Sequence, residues 1–209
     1  MVASTPALHL GVDLDNTLVS YDRVFLDAAR AWGLVGERFR GHRIALRAAI
    51  RALPDGELRW QRLQAEVYAH RMQQARLMPG AAAFLARCRR HGVAVSIVSH
   101  KTRHAAADPQ RVDLRALALD WLRDQGLLDP ARFGLDPQRV HFADSRADKL
   151  RRIAELGCTD FVDDLPELLA DPNFPRGVRS HLLTPAGADW EHLWTDLCER
   201  LQAAAERLC

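Results

Sequence analysis

Asp13-Leu14-Asp15-Asn16-Thr17 sets two acids and a hydroxyl at alternate positions directly after an apolar run, residues 8–14. Ser99-His100-Lys101 closes a second apolar run, residues 93–98, and Asp163-Asp164 follows the short pair Phe161-Val162. Lys149 stands on the segment beyond a further short run, residues 140–143. Carboxylates are the hard oxygen ligands that a divalent cation such as magnesium prefers. An ammonium and a hydroxyl are donors that a phosphate oxygen accepts from. Brought together, the set suits a divalent cation and a phosphate. Two acids as close as Asp13 and Asp15 repel, which favours one proton between them until a metal intervenes. The lysines stand out for a further reason. Only Lys101 and Lys149 are lysines, and the other 27 of the 29 basic residues are arginines. That bias is compositional, but it makes each surviving lysine a place to look.

These groups meet only if the surrounding elements bring them together. Residues 8–14 read as a buried strand. From 21 to 77 nothing reads as a strand, and three helical stretches fit instead: 21–32, 36–53 and 57–77, punctuated by Gly33 and the Pro54-Asp55-Gly56 turn. Pro79-Gly80 closes that block. Beyond it, helices at 81–90, 112–125, 147–156, 165–170 and 189–208 alternate with strands at 93–98, 140–143, 161–162 and 178–183. Such alternation implies parallel βαβ units, hence an α/β, doubly wound sheet. Ligands of an open α/β sheet sit at the carboxyl ends of the strands, which is where all four clusters fall.

Composition narrows the function classes. The chain is 48% hydrophobic and 27% charged, enough for a core, and its net charge is only +2. A nucleic-acid or anionic-membrane partner would select a strongly basic face, so neither is expected. No stretch is apolar for long enough to span a membrane, and the N-terminal run meets Asp13 too soon for a signal peptide. Cys88, Cys158, Cys198 and Cys209 are scattered without a CxxC pair. That spacing reads as reduced thiols in a cytoplasm, not as a disulfide framework or a zinc site.

The order of the clusters resembles the haloacid dehalogenase superfamily, in its phosphatase branch. Asp13 to Thr17 matches the DxDxT signature, Ser99 in SIVSH the second motif, Lys149 the third, and FVDD the acidic fourth. The resemblance spans residues 8–183. It implies a Rossmann-like core, residues 1–18 and 79–209, and a small all-helical cap at 19–78. It further implies Mg2+ as cofactor, with Asp13 as the nucleophile that becomes an aspartyl phosphate and Asp15 as the general acid and base. Thr17, Ser99 and Lys149 would bind the phosphate. Asp13, Asp15 and Asp164 would serve the metal, with Asp163, in the place of the family's usual glycine, a further candidate. Asp163-Asp164 also stands where it would cap a helix starting near 165, and a metal and a cap can share residues. The dehalogenases lack an acid at the Asp15 position, so the dehalogenase reading falls.

Two regions bear on the substrate. In the helical block, Arg23, Arg38, Arg40, His42, Arg43, Arg47 and Arg51 read mainly as a solvated face, with one or two able to reach an anionic substrate. Trp32, Phe39, Trp60 and Tyr68 read as packing for that block. The segment 100–111 places His100, Lys101 and Arg103 just after Ser99, as substrate contacts or as plain surface loop. The expected function is hydrolysis of a small phosphorylated metabolite, with sugar phosphates favoured over nucleoside monophosphates. A catalytically idle binding protein of the same fold is the alternative from another class.

Overall fold

The apolar run that opens the chain folds as β1 (His9–Val12) and forms the middle of a sheet. The structure, a computed structural model, describes residues 8–183 and 189–206. After β1 the chain makes a two-residue strand β2 (Val19–Ser20), then α1 (Asp22–Ala31), α2 (Arg43–Arg51) and α3 (Gly56–Ala65). A π-helical turn, Glu66–His70, and a 3-10 turn, Met72–Gln74, lead into β3 (Arg76–Leu77). The strand β3 pairs antiparallel with β2, Val19 opposite Leu77, so the helical block enters and leaves through one short ribbon. That ribbon corrects the expectation of no strand between 21 and 77. Two residues per strand are too few to show the alternation by which strands are recognised. The stretch 36–53 is likewise helical only over α2, and residues 36–42 are irregular apart from a turn at 37–38.

The rest alternates as expected: α4 (Ala81–Arg90), β4 (Ala94–His100), α5 (Leu114–Asp124), α6 (Pro130–Phe133) and β5 (Val140–Ala143). Then come α7 (Arg146–Glu155), β6 (Asp160–Asp163), α8 (Pro166–Leu169), β7 (Arg179–Leu182) and α9 (Asp189–Glu206). The five long strands run parallel in the order β5-β4-β1-β6-β7. The chain winds from β1 out to β5 on one side and returns to β6 on the other. The switch in direction opens a crevice beyond the carboxyl end of β1.

Period-two alternation decides which side chains line which face. On one face Leu10, Val12, Val95, Ile97 and Val162 pack with Phe84 of α4 and with Trp190 and Leu193 of α9. On the other, Val98 and Phe161 pack with Leu150 and Ile153 of α7 and Leu168 of α8. Gly11 lies on this second face, in register with Phe161. A Cβ there would stand 2.5 Å from Phe161 Cδ2 and 3.0 Å from Cys158 Sγ. Glycine is what lets the Phe161 ring lie across β1, and Asp13 and Asp163 extend from the two strands just beyond.

Gly11→Ala therefore overpacks the seam. We expect it to lower stability by about 1–3 kcal/mol, read as a lower urea midpoint with the slope unchanged; an unaltered midpoint would show that the Phe161 ring can move aside freely.

Candidate active site

At the end of β1, Asp13 is buried, and its backbone N–H donates to the Val162 carbonyl at 2.9 Å. The Asp13 Oδ1 accepts from Lys149 Nζ at 2.5 Å, and the same ammonium reaches Asp163 Oδ2 at 2.6 Å. Lys149 descends from α7 with its Nζ 5.3 Å from the centre of the Phe161 ring, and only 1% of its surface is exposed. Asp163 is fully buried and also accepts the Leu165 N–H at 2.9 Å, which shapes the turn before α8, although no side chain caps that helix. Thr17 is buried, its hydroxyl 3.5 Å from Asp13 Oδ2. Among the described residues one group of three acids could hold a metal. Asp13, Asp163 and Asp164 each bring a carboxylate oxygen within 4.8 Å of the others.

The charges are strongly coupled. Burial pushes the Asp13 carboxyl up from the ordinary aspartate range, Lys149 pulls it back, and the neighbouring Asp163 and Asp164 push it up again. For Lys149, burial works against the ammonium, but Asp13 and Asp163 outweigh it and hold its pKa above the usual lysine value. Burial likewise carries Asp164 up to about 6, against the pull of Arg43. The Arg43 guanidinium, from the first turn of α2, lies 3.2 Å from Asp164 Oδ2.

Beyond Asp13 the chain turns sharply. The Leu14 carbonyl accepts from the N–H groups of Thr17, Leu18 and Val19. Asn16 adopts a left-handed conformation with φ 67°, which asparagine tolerates better than most residues. The turn sends the Asp15 side chain away from the three-acid group. Its Oδ1 accepts from Tyr21 Oη at 2.9 Å and from Lys101 Nζ at 3.0 Å, and its Oδ2 accepts from Lys101 Nζ at 2.7 Å. The Asp15 side chain is not among the carboxylates that lie within 4.8 Å of one another.

A cavity of about 260 Å³ opens over these groups, lined by Asp13, Asp15, Ser99, Lys101, Lys149 and Asp164 among others. Ser99 is buried at the end of β4, and its Oγ has no hydrogen-bond partner among the described residues. Such a hydroxyl costs stability unless something in the cavity bonds to it. A neighbouring cavity of about 290 Å³, with Tyr21, His42, Ile44 and Met78 in its walls, shares Asn16, Arg43 and Asp164 with the first.

The structure thus brings Asp13, Asp15, Thr17, Ser99, Lys149, Asp163 and Asp164 to one place. It separates the three candidates of the segment after Ser99. Lys101 is buried at Asp15, and His100 is exposed on the cavity rim, its Nε2 3.2 Å from the Asp144 carbonyl. Arg103 is excluded from both cavities. It is largely exposed, its Nε donating to Asp113 Oδ2 at 3.0 Å. The reason lies in the loop: Asp108 accepts the Gln110 and Val112 N–H groups and pairs with His70, folding the segment back on itself. Tyr68 packs against Tyr21 and Phe25, as read, and also lines the cavity over Asp13, as does Arg146 at the start of α7. Tyr68 sits on the π-helical turn Glu66–His70, which has no signature in the sequence. Arg146 stands three residues before Lys149, a helical spacing that could have flagged it.

No known family's sequence model matches the chain, and no curated protein sequence does. Solved structures do. A haloacid dehalogenase-like family hydrolase from Streptococcus pneumoniae superposes with a TM-score of 0.55 at 13% identity, over 85% of each chain. A second hydrolase from the same species gives 0.50 at 16% identity, over 85% of this chain and 93% of that one. A haloacid dehalogenase-like hydrolase from Xanthomonas campestris gives 0.48 at 14%, over 96% and 98%. The chain has the haloacid dehalogenase-like fold.

The raised Asp164 has a consequence for stability. A carboxyl whose pKa rises on folding contributes stability at low pH, and loses it as pH climbs through the folded value. In chelator, the wild type should therefore lose stability relative to Asp164→Asn by as much as about 3 kcal/mol from about pH 4 to above pH 6. Denaturation curves of both proteins at several pH values measure this difference; parallel pH profiles would refute it.

Proposed function

We propose that this chain is a magnesium-dependent phosphomonoester hydrolase of the haloacid dehalogenase superfamily, acting on a small phosphorylated metabolite through phosphorylation of Asp13. The observation that supports it most is the setting of Asp13. It is buried against one ammonium and two further acids, and it faces a cavity in which the buried Ser99 hydroxyl lacks a partner. The donor set fits magnesium, because its three ligands are all carboxylate oxygens with no nitrogen or sulfur among them. Asp13, Asp163 and Asp164 would hold the ion, which when bound neutralises phosphate charge and keeps Asp13 anionic.

The residues then divide the work. Lys149 and Ser99 bind the phosphoryl oxygens, and Thr17 steadies Asp13. An Asp13 oxygen attacks phosphorus, the bond to the leaving oxygen breaks, and that oxygen takes its electron pair together with a proton from Asp15. Water then attacks the aspartyl phosphate, returns a proton to Asp15, and releases inorganic phosphate and free Asp13. Splitting one displacement into two lowers each barrier. The helical segment 19–78 serves as the cap over the core, residues 1–18 and 79–209. It contributes Arg43 and Tyr68 to the cavity walls, and a lid of this kind excludes water from the reaction.

Turnover of p-nitrophenyl phosphate tests the reading. It should require magnesium, stop in chelator, and fall by more than about a thousandfold in Asp13→Asn. Activity retained in chelator or in that variant would refute it. Ser99→Ala should cost about 10–100-fold, the worth of one hydrogen bond to a charged group. Arg103→Ala should leave every ester's kinetics unaltered, because Arg103 faces Asp113 and not the cavity; a loss on any ester would return it to the site.

A further inference from the structure

Lysine is almost never buried without a partner, and Lys101, only 4% exposed, has one that the catalytic cycle uses. Two of its three ammonium protons are directed to Asp15, one to each carboxylate oxygen, at 3.0 and 2.7 Å. On another side the Nζ lies 5.3 Å from the centre of the Tyr68 ring. The backbone around it is held as well. The Lys101 N–H donates to the Ala143 carbonyl, and the Lys101 carbonyl accepts from Arg115 Nε at 2.8 Å. The Tyr21 hydroxyl completes the grip on Asp15 from the helical side.

We infer that Lys101 is a positioning residue for leaving-group protonation, fixing Asp15 apart from the metal-binding acids and facing the catalytic cavity. This rests on the phosphatase reading given above. Asp15 is a fourth acid beside three that already repel one another. Without an opposing cation, nothing but the Tyr21 hydroxyl would keep it in its present place. With the ammonium there, Asp15 stays at the cavity wall, where it gives the departing oxygen the proton it needs. When the P–O bond breaks, that proton passes to the leaving oxygen; the attacking water restores it in the second half of the cycle. Lys101 then acts on the leaving group through Asp15 and does not read its identity.

The test compares two esters that differ in their need for a proton. Nitrophenolate leaves without one, whereas an alkoxide from ethyl phosphate does not. The ratio of kcat/KM for the alkyl ester to that for the aryl ester follows this step, since kcat/KM covers the reaction up to release of the alcohol. General acid catalysis is worth about 10²–10⁴-fold, so Lys101→Met should lower that ratio by about 30-fold or more. Lys101→Met combined with Asp15→Asn should show the ratio of Asp15→Asn alone, because the two side chains act as one unit. Residual aryl activity shows that each variant is folded. An unchanged ratio in Lys101→Met, or losses that add in the double variant, would overturn this inference and leave the phosphatase reading intact. No turnover of either ester by the wild type would overturn both.

Discussion

One ammonium, that of Lys149, holds the carboxyl ends of two neighbouring strands together. Its Nζ lies 2.5 Å from Asp13 on β1 and 2.6 Å from Asp163 on β6. Two acids this deeply buried and this near each other repel with little solvent to screen them. The lysine answers both charges at once, and its own burial is tolerated for the same reason. The sheet supplies the geometry: parallel pairing of β1 with β6 puts the two acids side by side, and Gly11 gives the Phe161 ring room to lie beneath the lysine stem.

Around that centre the charges are arranged in a second tier. Lys101 answers Asp15, and Arg43 answers Asp164. Arg146 on the cavity wall is a fourth cation beside Lys149, Lys101 and Arg43, so four acids face four cations and the site is neutral by count. A divalent cation would make it positive and leave it suited to a phosphate dianion. The buried, unpartnered Ser99 hydroxyl points the same way. Each of these features costs stability in the folded protein, and sites that bind or react commonly retain such costs.

The helical segment contributes through two residues that enter the cavity from outside the sheet. Arg43 comes from the start of α2, and Tyr68 from a π-helical turn, a distortion often found at functional sites. Tyr68 also meets Tyr21 edge-on at 5.0 Å between ring centres. The packing of the helical segment and the placement of Asp15, through Tyr21, are therefore one structure.

Much of this was legible before any coordinates. Strands and helices of the core announce themselves because burial on a sheet face or helix stripe imposes a local period, which the sequence carries residue by residue. The same locality placed Asp13, Ser99 and Asp163 at strand ends, and lysine scarcity marked Lys101 and Lys149. The partner of each charge was decided only by the tertiary structure. Lys149 meets Asp13 across 136 positions, Lys101 meets Asp15 across 86, and Arg43 meets Asp164 across 121. Arg103 and Lys101, two residues apart in one loop, ended in solvent and in the site respectively, because a turn around Asp108 folds the loop away. A short-range pattern records which residues an element buries. Which charge faces which depends on the pairing of distant strands and on loop turns, and those leave no period to read.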